Sequence, residues 1–193
     1  MYLTRELYVK NWDHHPKDGR WEITVKRGGR LIETINPAKI SGVIEEVGYW
    51  RKANQIHAWF VDRVQEGVDE CQKSYVSSKQ LAELLMVCRG LFYLHEQLGD
   101  TPEVLSAIEE RLPPREGFFF GSTDVNDSFW EDIKLTIGIL EPLVGSMVAR
   151  PRLPAAVVGG SREGYELVFP AALQGEVVED DALIGDFYYQ SSW

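Results

Sequence analysis

Trp50, Arg51, Asn54 and His57 lie within eight residues of one another and bring together four complementary chemistries. The set offers a flat aromatic face, a planar cation, an amide that donates and accepts, and an imidazole that does both. On a helix turning about 100° per residue, Glu46, Trp50, Asn54 and His57 are successive neighbours on one face, in line with Val43, Val47 and Val61. Such a row can stack on a small flat molecule and read its polar edge, while Arg51 at the flank pairs with a carboxylate or phosphate. Polar groups on a core face cost about 1–3 kcal/mol each unless partnered, so the row either lines a ligand site or carries a buried hydrogen-bond network. General-base work by His57 needs an orienting carboxylate. Glu46 would be about 16 Å away along a helix, which leaves Asp124 or Asp127 for that role.

Two other segments hold groups that could join this row. Ser122, Thr123 and Asp124 follow Gly121 and precede a helix, as an anion-holding turn or a helix cap would. The turn lacks the Gly-Lys-Ser/Thr of a phosphate loop, and Asp124 and Asp127 would repel phosphate. At the carboxy-terminal end, Tyr188, Tyr189, Gln190 and Trp193 can close one wall of a pocket. They can equally form a strand that completes the sheet, with Trp193 as an aromatic anchor. No Gly-x-Ser-x-Gly elbow and no CxxC pair occurs. Cys88 sits among leucines and reads as packing, and Cys71 follows a polar loop without a nearby His or Lys to lower its pKa. His14 and His15 beside Asp13 are adjacent and point apart. No catalytic residue, metal ligand set or cofactor is therefore assigned.

The elements that must position these groups can be read from periodicity. Tyr2 to Val9 reads as a strand. Trp21 to Val25 alternates like a half-buried strand, Gly28-Gly29 supplies a tight hairpin turn, and Leu31 to Ile35 returns, all expected in one sheet. Asn36-Pro37 is a helix-start signal, from which a first helix is predicted to run to about Glu66 with a kink near Gly48. Ser77 to Gln80 is a capping box opening a second helix to Leu98, closed by Gly99. Thr101-Pro102 opens a short third helix that ends before Pro113. Ser128 to Glu131 is a second capping box, opening a fourth helix that ends near Pro142 or Gly145. Residues 149–181 are rich in Pro and Gly and read as a variable insertion in a single domain spanning 1–193. The fold class is thus α+β: a small antiparallel sheet from the amino-terminal hairpin region and the carboxy-terminal strand, packed on about four helices, one of them long.

The chain of 193 residues carries a net charge of −10, which disfavours sequence-independent binding of nucleic acid. The basic groups Lys26, Arg27 and Arg30, and Arg150 with Arg152, read as solvated loop charge. No apolar run is long enough to span a bilayer, and no cleaved secretion signal is expected, so the expected location is cytoplasmic without membrane contact.

Three segments together resemble a family of uncharacterised proteins encoded by tailed bacteriophages. They are Tyr49-Trp50-Arg51-Lys52-Ala53-Asn54 with Ile56-His57 and Trp59-Phe60, then Gly117 to Thr123, then Phe187 to Trp193. The likeness covers roughly Ile40 to Leu140 and the last seven residues. The Pro/Gly-rich stretch departs from the family's usual pattern. The resemblance implies a phage protein acting in the host cytoplasm and implies no activity.

The reading that follows is of an accessory protein that binds a small polar, nucleotide-like ligand between the first helix and the tail, and so counteracts host defence signalling. Its site would draw on Trp50, Arg51, Asn54, His57, Ser122, Thr123, Asp124, Tyr188, Tyr189, Gln190 and Trp193. Binding is favoured over catalysis. The alternatives are a protein-binding inhibitor of a host enzyme, anchored by Trp12, Trp59 or Phe60, and a hydrolase or transferase using His57 and an Asp. Two apolar sides on the first helix would point to homo-oligomerisation.

Overall fold

The computed structural model describes residues 1–12, 20–116, 123–148 and 185–192. The Ser122 and Trp193 expectations, the His14-His15 pair and the 149–181 insertion lie outside these residues.

Four strands form an antiparallel sheet in the order β4-β1-β6-β5. They are β1 (Tyr2–Tyr8), β4 (Gly42–Tyr49), β5 (Ser74–Val76) and β6 (Asp186–Gln190). The carboxy-terminal strand is thus interior to the sheet, pairing Leu3 with Tyr189 on one side and Tyr75 with Tyr188 on the other. Alternation sends Leu3, Val76, Phe187 and Tyr189 into the core.

Four helices cover that face: α1 (Asn54–Arg63), α2 (Ser78–Leu98), α3 (Pro102–Arg111) and α4 (Asp127–Val144). The α+β arrangement expected from the sequence is the one found. The long helix is α2, with 21 residues. Its amino terminus carries the expected capping box, in which Ser77 and Gln80 satisfy each other's backbone, and Gly99 follows its end. Leu81, Leu84, Leu85, Cys88 and Leu91 are buried on its inner side. α4 packs antiparallel to α2, since Arg89 bonds Glu141 while His95 stacks on Trp130. Asn126 rather than Ser128 caps α4, accepting from the amides of Ser128 and Phe129.

The predicted helix over 36–66 is not present. Asn36 does cap a helical start, but only a single 3₁₀ turn (Pro37–Lys39) follows. The next residues form β4, and α1 begins only at Asn54. Local chemistry explains the switch: Val43, Ile44 and Val47 are β-branched, and glycines stand at 42 and 48. Gly48 has a packing role besides. A Cβ there would lie 2.7 Å from Ile139 Cγ2 on α4. Val47 is an extra residue in the β1–β4 ladder, where Leu3 pairs with Gly48 and Thr4 with Glu46.

The hairpin expected to join the main sheet stands apart from it. Only β2 (Lys26–Arg27) and β3 (Arg30–Leu31) pair, across Gly28 and Gly29 at φ 57° and 79°. That double left-handed turn is what the glycine pair permits at low cost. Among the described residues from 10 to 47, none is buried. No helix among the described residues is long and apolar enough to cross a membrane.

Candidate functional site

The polar row of the sequence resolves into separate environments, because Trp50 precedes α1 and Asn54 begins it. Trp50 is fully buried, and its indole Nε1 donates to Thr136 Oγ1 at 2.9 Å. Thr136 in turn donates to the Asp132 carbonyl within α4 at 2.7 Å. Asn54 uses both ends of its amide on one backbone unit. Its Oδ1 accepts from Arg115 N at 2.5 Å and its Nδ2 donates to Arg115 O. This fixes the chain after α3 against the start of α1. It also sets the Arg115 guanidinium where it donates to both Asp62 oxygens, at 2.7 and 2.8 Å.

His57 and the tail meet, as expected, but they fill the space between them. The Tyr189 hydroxyl donates to His57 Nδ1 at 2.5 Å, and His57 Nε2 lies 3.0 Å from Asp69 Oδ2. Ser191 Oγ donates to the other Asp69 oxygen at 3.4 Å. Tyr189 lies flat on Phe60, with ring centroids 4.0 Å apart and planes 5° from parallel. His57 is 2% exposed and Tyr189 0%. Burial lowers the His57 pKa, and Asp69 opposes that shift without cancelling it. Burial raises the Tyr189 phenol, with Asp69 and Cys71 adding to the effect. The phenol therefore keeps its proton and donates it to Nδ1, while neutral His57 donates its Nε2–H to Asp69.

Asp69 reaches this position from the α1–β5 loop, whose Glu66, Gly67 and Cys71 all have left-handed backbones. No periodicity marks such a loop residue, so sequence reasoning missed it. Cys88 is buried, and burial alone pushes its thiol up; Cys71 is partly exposed. Among the described residues, no group of three or more His, Cys, Asp or Glu side chains is placed to hold a metal ion.

Other expected site residues face elsewhere. Tyr188 lies on the opposite face of the sheet, edge-on to Tyr75 at 5.9 Å, with the Lys73 ammonium 4.3 Å from its ring. Gln190 is exposed and donates to the Cys71 carbonyl at 3.0 Å. Thr123 is half-buried and Asp124 exposed before α4.

Arg51 and Asp124 share an open cleft of about 360 Å³ with Lys52, Gln55, Asn126 and Asp132. Lys52 has φ 62°, a left-handed conformation that costs a non-glycine residue about 1–3 kcal/mol and turns the chain sharply between β4 and α1. Among the described residues neither Arg51 nor Lys52 enters an ion pair. Gln55 is 3% exposed and reaches the α4 amino terminus, donating to the Phe129 carbonyl at 3.4 Å. The Asp132 carboxyl is raised to about 6, chiefly by burial; hydrogen bonding from Gln55 pulls it down and Glu131 pushes it further up. A second cleft of about 450 Å³ opens beyond Gln55, against Trp59, Asp62 and Arg115. Of the three guanidinium groups that line it, Arg115 pairs with Asp62 and Arg111 with Glu110; Arg63 is the third.

Comparison of the chain with protein-family models, with characterised proteins and with solved structures gives no match.

Proposed function

We propose that this protein is a binding protein for a small polar ligand with an anionic end, a nucleotide or nucleotide-like molecule, held in the Arg51 cleft. This keeps the ligand class expected from the sequence and moves the site away from the helix–tail junction, where Tyr189 and His57 occupy each other. The observation that carries the reading is the cleft's split polarity. Two cations outside any described ion pair, Arg51 and Lys52, line it together with the buried amide of Gln55, the half-buried Asp132 and the exposed carboxylates of Asp124 and Glu131, so an anionic end has to lie against the Arg51 side. Arg51 suits phosphate or carboxylate geometrically. Gln55 and Asp132 supply donors and acceptors for a base edge, and Asp132 can offer either role near pH 6.

Catalysis by His57 finds no support in this geometry, because both ring nitrogens are engaged and the ring has almost no exposed surface. The resemblance to tailed-phage proteins implies no activity; it makes nucleotide signals of a host cell the first candidates to assay.

The test is thermal shift and isothermal titration of the full chain against nucleoside mono-, di- and triphosphates and cyclic nucleotides. At least one should raise the melting temperature, and Arg51→Ala should abolish that rise while leaving the unliganded melt unchanged. No response to any member removes the reading.

A further inference from the structure

The charges of the Arg51 cleft are divided between its elements. Its cations, Arg51 and Lys52, come from the turn between β4 and α1. Its carboxylates, Asp124, Glu131 and Asp132, come from α4 and the residues just before it. A ligand whose anionic end lies against Arg51 must set its other end against those carboxylates. Acceptors there would be repelled, so that end has to present N–H donors.

The floor narrows the choice of donors. Gln55 is 3% exposed, and its amide donates to the Phe129 carbonyl at 3.4 Å and to the Asp132 carboxyl. Its N–H groups are therefore spent within the protein, while Asp132 keeps lone pairs for a guest. Asp132 stands on α4, a rigid element, and its own carbonyl accepts from Thr136 Oγ1 at 2.7 Å. Burial raises its carboxyl to about 6, so well above that pH the side chain only accepts. A planar carboxylate matches two N–H donors set side by side. Among the common nucleobases guanine has that pair, N1–H beside the 2-amino group. Adenine and cytosine set a donor beside an acceptor, and uracil sets its N–H between two carbonyls.

We infer that the Arg51 cleft selects guanine nucleotides, with the Asp132 carboxylate accepting from N1–H and the 2-amino group while Arg51 pairs with the phosphate. The inference rests on the nucleotide reading of this cleft and adds the base to it. Asp132 is then the residue that sets specificity, and Arg51 the one that supplies affinity common to every base.

Isothermal titration of the full chain tests it, run well above pH 6 so that Asp132 is ionised. Guanosine, inosine, adenosine, cytidine and uridine nucleotides are compared at equal phosphate number. Guanosine nucleotides should bind at least about tenfold more tightly than those of adenosine, cytidine or uridine. Inosine keeps N1–H and lacks the 2-amino group, so its nucleotides should fall between. Asp132→Asn replaces one acceptor by a donor, the complement of adenine's edge. It should weaken guanosine nucleotides by about tenfold and remove their lead over adenosine nucleotides. The variant should fold, since it loses a carboxyl whose charge burial disfavours, and its thermal melt checks this. The comparison of inosine with guanosine needs no variant. If no nucleotide of any base binds, the nucleotide reading and this inference fall together. Nucleotides may not bind through Arg51 with equal strength for all bases: if adenine, cytosine, uracil or hypoxanthine matches guanine, this inference is overturned and the cleft reading stands. The same holds if Asp132→Asn leaves the order of bases unchanged.

Discussion

The interior around α1 and the described residues 20–41 are inverted with respect to each other. The first buries hydrogen-bonding groups, and the second exposes apolar ones. Inside, the inversion is resolved within the chain: Trp50 has Thr136, Asn54 has the Arg115 backbone, and His57 has Tyr189 and Asp69. Outside, Trp21, Leu31 and Ile35 remain exposed among the described residues. Polar residues at these core positions therefore position the chain against itself.

The largest effect that would sharpen this contrast comes from the tail. β6 joins β1 to β5, so deleting residues 186–193 splits the sheet. The deletion should remove most of the roughly 5–15 kcal/mol that stabilises a domain of this kind, seen as loss of the cooperative thermal transition. Retention of a sharp melt would show that the tail is an accessory.

Single groups come next. Tyr189→Phe keeps the stack on Phe60 and leaves His57 Nδ1 buried without its donor, at a cost of about 1–3 kcal/mol in urea unfolding. Asn54→Ala removes two hydrogen bonds to Arg115 and should cost about 2 kcal/mol. Gly48→Ala forces a Cβ against Ile139 and Trp50 and should cost about 1–3 kcal/mol. At the exposed hairpin, Leu31→Ser should change stability by less than about 0.5 kcal/mol.

The pH dependence separates the interior from the cleft. The folded pKa of His57 lies below its ordinary value of 6.5, so the unfolded chain takes up the proton first on acidification. The His57 contribution is whole above about 6.5 and is lost as the pH falls toward the lowered value. Asp132 runs the other way, since its folded pKa is raised from 3.8 to about 6. Its contribution is whole below 3.8 and is lost as the pH rises through about 6. Urea midpoints against pH should therefore show Asp132→Asn gaining on the wild type between those two values.

Much of the scaffold was legible because its signals are local. The Ser77–Gln80 box, the Gly28-Gly29 turn and the Thr101-Pro102 start each act through their own backbone. The predicted helix over 36–66 failed because Val43, Val47 and Trp50 satisfy a helical spacing by coincidence, while β-branching and Gly48 favour a strand docked on α4. That error joined Trp50 to His57 on one face, whereas Trp50 bonds Thr136 on α4 and His57 bonds Tyr189 and Asp69. Arg51 and Asp124 are both legible as polar groups, yet their meeting with Gln55 and Asp132 depends on how α4 lies against α1. Asp69 was missed for a related reason: only the left-handed loop after α1 returns it to His57.

The most direct test of the closed interior is the His57 imidazole observed by ¹⁵N NMR across pH. A neutral ring protonated on Nε2, with an apparent pKa below 6.5 and a slowly exchanging proton, is expected. A ring that titrates at the ordinary value and exchanges freely with solvent would contradict it, and would reopen the junction of α1 and the tail as the ligand site.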